Sequence, residues 1–206
     1  MAVTKSGDLV YTDDIDRTVN IVKNGKIEKL IRLQNCVRRN VCCTSSGDLL
    51  VILSNERNRI EVVRYIGFIE KQRIHIDDKG IPLFTPSYYK YIAENKNLDI
   101  CVSDCEGKSV VVVSPAGKLR FRYTGHTPAP KYKPFNPRGI TTDNQNHILT
   151  ADDNNHCVHI IDQDGQFLRY IHCGLSNPWG LCSDTNDNLF VAQCLNKQVK
   201  KIKYLR

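Results

Sequence analysis

Asn136-Pro137-Arg138-Gly139-Ile140-Thr141-Thr142-Asp143 returns 41 residues later as Asn177-Pro178-Trp179-Gly180-Leu181-Cys182-Ser183-Asp184. The same spacing pairs Ile148 with Leu189, Ala151 with Ala192, Asn155 with Asn196, Val158 with Val199 and Ile161 with Ile202. So many like residues in one ungapped register mark internal duplication, and a period of about 40 residues belongs to repeat architectures.

Weaker copies lie upstream. Ser6-Gly7-Asp8-Leu9-Val10-Tyr11-Thr12-Asp13 resembles Ser46-Gly47-Asp48-Leu49-Leu50-Val51-Ile52-Leu53-Ser54-Asn55, and Asn97-Leu98-Asp99-Ile100-Cys101-Val102-Ser103-Asp104 is a third version. Each has a polar turn, a short β-prone run and an acidic or amide residue. A second run follows at 18–22, 60–63, 110–113, 158–161 and 199–202. Asn24-Gly25, Ala116-Gly117 and Asp164-Gly165 then signal a further hairpin. No stretch keeps a helical period over ten or more residues. The unit is about four short strands, which predicts an all-β propeller. A sandwich does not explain the register, and a solenoid has a shorter repeat. Five blades are expected to start near residues 1, 36, 86, 135 and 176, within one domain spanning 1–206. Insertions fall at 71–86 and 125–135.

The chain has 206 residues, 25% of them charged, with a net charge of +7. Collagen, low-complexity disorder and a disulfide miniprotein are excluded by that composition. The positive excess is uneven: residues 135–196 carry two basic against seven acidic side chains, while Lys197, Lys200, Lys201, Lys203 and Arg206 crowd the last ten positions. Lys200 and Lys201 interrupt the last apolar strand, as lysines do at exposed sheet edges. The start of the chain has no apolar leader core, and no run is long enough to span a bilayer. Nine cysteines, an odd number, include several within apolar runs, such as Cys101 and Cys182. Buried, reduced thiols and a cytoplasmic location are expected.

The pattern of Pro137, Gly139, Asp143, Ile148, Ala151, Asp152, Asn155, Val158, Ile160, Asp162 and Gly165 resembles the NHL repeat. The fifth unit shares Pro178, Gly180, Asp184, Ala192, Asn196 and Val199, and departs at Gln193, where the family has Asp. The likeness is close over 135–206 and looser before that. It is similar overall to the C-terminal NHL region of tripartite-motif proteins, which are RING-type ubiquitin ligases. That resemblance implies a six-bladed ring, so that five units, the last without a fourth strand, are expected to be a partial propeller. It also implies a non-catalytic module that recruits a protein ligand or ubiquitination substrate. The alternative is recognition of single-stranded or hairpin RNA.

In relatives, the loops entering the inner strand and following the second strand share one face. The resemblance places Arg57, Asn58, Arg59, Arg138, Asn154, Asn155, His156, Trp179, Asn196, Lys197 and Gln198 there, with Asp153 beside them. Trp and Arg are the side chains of binding hot spots, although Trp179 would serve equally as core between blades. No catalytic residue, metal site or cofactor is expected. His156 and His159 would point to opposite faces of a strand. The pairs Asp13-Asp14, Asp77-Asp78 and Asp152-Asp153 suit turns that bond local backbone.

Overall fold

The computed structural model describes residues 1–33, 36–55, 59–87, 89–126 and 133–205, with residues 36–39 described in backbone only. The described residues form five antiparallel sheets whose strands follow in chain order. Blade one holds β1 (Ala2–Val3), β2 (Leu9–Asp13), β3 (Thr18–Lys23) and β4 (Lys26–Arg32). Blade two holds β5 (Cys36–Cys43), β6 (Leu49–Asn55), β7 (Ile60–Ile66) and β8 (Ile69–Ile74). Blade three holds β9 (Lys90–Glu94), β10 (Ile100–Asp104), β11 (Ser109–Val113) and β12 (Leu119–Tyr123). Blade four holds β13 (Pro137–Thr142), β14 (Ile148–Asp152), β15 (Cys157–Ile161) and β16 (Phe167–Ile171). Blade five has three strands, β17 (Pro178–Ser183), β18 (Asn188–Gln193) and β19 (Gln198–Lys203). The architecture is an all-β propeller.

The same turns recur from blade to blade. Gly7, Gly47, Leu98, Asn146 and Asp187 occupy the left-handed region between the first and second strands of the five blades. Arg17, Lys108, His156 and Lys197 do so between the second and third strands of blades one, three, four and five.

Four buried clusters hold the blades together, joining one to two, two to three, three to four and four to five. The second and third strands of blades three and four are buried on both faces, with a few polar residues such as Ser103, Asp104, Thr150, Asp152 and His159 among the apolar ones. β10, β11, β14 and β15 are buried at every position. In blade five, β18 alternates between buried and half-buried positions, because one face alone meets a neighbour. None of the four clusters joins blade five to blade one. The face of blade one turned from blade two leaves Val3, Leu9 and Ile27 exposed, and that of blade five leaves Val199 exposed. The sixth blade expected from the resemblance has no counterpart among the described residues.

This uncovered face corrects the reading of Cys182. It pairs with Phe190 on the outward side and is exposed, whereas Cys101, between two blades, is fully buried. Of the eight described cysteines, all unpaired, three are buried. Lys200 has a local role: its Nζ donates to the carbonyls of Cys173 and Gly174, at 3.3 and 2.6 Å, and caps the linker into blade five.

The inner strands surround a channel with a cavity of about 510 Å³, lined by Ala2, Val41, Tyr91, Gly139 and Gly180 among others. At one mouth, a second cavity of about 290 Å³ carries Glu94, Asp143, Asp184 and Asp187.

Candidate functional site

The opposite mouth, where the inner strands begin, is aromatic and cationic. A repeated bond sets its geometry. Cys105 N donates to Tyr89 O, Asp153 N to Asn136 O and Cys194 N to Asn177 O. Tyr89 therefore stands in blade three where blades four and five have Asn. The residues just inside these positions are then aimed by bulges. The β13–β14 register slips between Pro137 and Ile140, and the β17–β18 register slips between Pro178 and Gly180. A bulge re-aims the side chain at the extra residue, here Arg138 and Trp179.

The Arg138 guanidinium carbon lies 4.1 Å from the centre of the Trp179 ring and 5.2 Å from that of Tyr89. The two rings meet edge-on at 5.8 Å. Tyr89 is half exposed and Trp179 half buried. Tyr91 stands beside Arg138 and Trp179, and burial pushes its hydroxyl up to about 12. Burial also pushes the Cys105 thiol up to about 11, with Arg138 pulling the other way. Cation–π contacts of this kind contribute about 0.5–2 kcal/mol each.

The other expected site residues divide by role. Asn154 Nδ2 donates to Pro134 O at 2.8 Å, and Asn155 exchanges two bonds with the Lys133 backbone. His156 Nδ1 accepts from Asn177 N at 3.1 Å. These three brace the linkers that enter blades four and five. Arg59 pairs with the buried Glu61 at 2.8 Å. Asn196, Lys197 and Gln198 are exposed at the β18–β19 turn. Arg57 and Asn58 lie outside the described residues. Tyr89, which the sequence reading did not include, was detectable as an aromatic residue just ahead of an inner strand.

A second arrangement recurs at the end of the second strand. Asp104 accepts from Thr85 N at 2.7 Å, Asp152 from Asn136 N at 3.2 Å and Gln193 Oε1 from Ser176 N at 2.6 Å. Each pins the segment entering its own blade. Gln193 therefore departs from the pattern in charge while keeping the acceptor. The role of Asp152 also corrects the reading of Asp152-Asp153 as local turn residues. Asp13 and Asp77 do bond local backbone, but Asp152 is buried and serves as a long-range acceptor.

Asp152 belongs to the one group of potential metal ligands among the described residues, with Cys157 and His159, whose ligand atoms lie within 4.8 Å of one another. His159 already uses both ring nitrogens. Nε2 meets Asp152 Oδ2 at 3.1 Å and Nδ1 meets the Tyr123 hydroxyl at 2.8 Å. Burial pushes the Cys157 thiol up to about 12. Burial alone would raise the Asp152 carboxyl, but hydrogen bonds from His159 and Asn155 hold it below its usual value. Asp152 and His159, with the Tyr123 hydroxyl, form a hydrogen-bonded staple between blades three and four. His156 lies in the turn ahead of β15 and not on the strand with His159.

The fold and these repeated turns define a β-propeller. The NHL repeat family matches residues 136–161. No curated protein matches the chain. Similar solved structures include virginiamycin B lyase from Staphylococcus aureus, 14% identical, with a TM-score of 0.65 over 98% of this chain and 68% of that one. Another is a gluconolactonase from Xanthomonas campestris, 16% identical, with a TM-score of 0.67 over 93% of this chain and 67% of that one. A third is the WD40 propeller domain of Doa1, 13% identical, with a TM-score of 0.68 over 96% of this chain and 60% of that one. At such identity the likeness is one of fold, and one fold can carry unrelated functions. No helix among the described residues is long and apolar enough to cross a membrane.

Proposed function

We propose that this propeller is a non-catalytic interaction module that captures a segment of another protein at the Tyr89–Arg138–Trp179 mouth of its channel. The observation that carries this reading is the Arg138 guanidinium stacked on Trp179 beside a half-exposed Tyr89. The few residues that carry most binding energy at protein interfaces are enriched in Trp, Tyr and Arg. Side chains mounted on strand starts also lose little freedom on binding. A role as the substrate-recruiting part of a ubiquitin ligase rests on the tripartite-motif resemblance alone. A reducing, cytoplasmic setting belongs to the same proposal and rests on the unpaired cysteines.

RNA binding is the second reading. Planar Arg and Trp faces favour it, because bases stack on them. The two basic and seven acidic side chains of residues 135–196 oppose it. The test is a selection of random displayed peptides on the folded protein, run beside filter binding of random-sequence RNA at two salt concentrations. The protein-ligand reading expects enriched peptides that lose affinity on Trp179→Ala. Salt-sensitive RNA binding lost in Arg138→Ala, with no peptide enriched, would overturn it.

A further inference from the structure

Arg138 is almost enclosed, yet the fold leaves its donors underused. Its side chain is 15% exposed, and its nearest charged partner, Asp153 Oδ2, is 3.6 Å from Nη2. That is longer than the roughly 2.7–2.9 Å of a charge-assisted hydrogen bond. Asp153 is also engaged elsewhere: Oδ1 accepts from Asn177 Nδ2 at 3.0 Å and Oδ2 from Asn136 Nδ2 at 3.3 Å. Among the described residues, Arg138 Nε is buried without a hydrogen-bond partner. A guanidinium has five N–H donors in a rigid plane, and leaving a buried one such as Nε unpaired is costly.

We infer that Arg138 is the receptor for a single side-chain carboxylate, Asp or Glu, on the captured protein segment. This rests on the peptide-capture reading above and names the chemistry of its anchor. A flat carboxylate matches the edge of a guanidinium bidentately. The Trp179 and Tyr89 rings fix that plane and shield the pair from water, which strengthens it. Lys108, whose Nζ lies 3.4 Å from Asn136 Oδ1, adds a second positive charge to the same mouth. The Asp153 charge next to the guanidinium selects against a dianion. A carboxylate therefore suits the site better than a phosphate does.

The test uses a peptide enriched by selection on the wild-type protein and its analogues. In one analogue each acidic residue is replaced in turn by its amide, and in another by phosphoserine. One acidic position should stand out, its amide binding the wild type at least ~10-fold more weakly, while the same change costs less than about twofold on Arg138→Gln. Should Arg138→Gln fail to fold, judged by its thermal melt, Arg138→Lys replaces it, and there the amide penalty should fall below ~3-fold because the fork is gone. Enriched peptides with no critical acidic position, an equal amide penalty on the Arg138 variant, or a phosphoserine analogue binding ~10-fold more tightly would overturn the carboxylate receptor alone. If no peptide is enriched at all, the capture reading fails and this inference fails with it.

Discussion

Gly139 lies against the backbone of Trp179. A Cβ on the glycine would stand 2.6 Å from the Trp179 carbonyl oxygen and 2.7 Å from Leu181 N. Both are backbone atoms of the neighbouring inner strand and cannot turn aside. Gly139→Ala must therefore push blade five from blade four, at a cost of about 1–3 kcal/mol. Gly180 is the repeat counterpart, and its added Cβ would meet only the Ala192 side chain, at 3.4 Å. Gly180→Ala should cost less than about 1 kcal/mol, within the range of tolerated packing changes. Urea denaturation of the two variants checks the contrast, and equal losses would contradict it.

Asp152 makes stability depend on acid. Hydrogen bonds hold its folded carboxyl below the usual range, so the fold favours the ionised form. Its contribution is complete above the unfolded value of about 3.9 and is lost as pH falls through the lower folded value. Denaturation midpoints followed downward from neutral pH through and below the unfolded value of about 3.9 should fall steeply at the acid end for the wild type and less steeply for Asp152→Asn. Parallel curves would show that other carboxylates govern the acid limb.

The thiols should divide by blade position. Burial pushes Cys101 well above its ordinary value and Cys157 up to about 12. Cys173, Cys182 and Cys194 are exposed. A maleimide pulse on the folded protein should label those three, and Cys101 and Cys157 only after denaturant is added. Peptide mass spectrometry reads this directly. Protection of Cys182 would mean that something covers the outer face of blade five.

The centre of the fold was more legible in the sequence than its ends. Strands covered on both sides, such as β10 and β14, are apolar at their starts and end on a buried Asp, and those apolar starts stand out. The Asn-Pro-x-Gly spacing was legible too, and at Gly139 the glycine is needed because the Trp179 backbone lies against it. The partners of polar side chains were not legible. Asn154, Asn155 and His156 also bond the nearby linkers, which their place in the repeat does not reveal. Tyr89 does not stand out in the repeat because blade three has an aromatic residue where its neighbours have Asn, and its inner strand lacks their bulge. Cys182 looked buried because an apolar run does not reveal whether a further blade covers it.

Trp179 is the chain's only tryptophan, so its emission reports on the proposed mouth alone. The most direct measurement is the Trp179 emission spectrum during titration with a selected peptide, for the wild type, Arg138→Ala and Asp184→Ala. The account predicts a saturable change in the wild type, the same change in Asp184→Ala at the opposite mouth, and at least a ~10-fold weaker isotherm in Arg138→Ala. A peptide that binds with Trp179 emission unchanged, keeps its affinity for Arg138→Ala and loses it on Asp184→Ala would place the binding site at the acidic mouth and contradict the account.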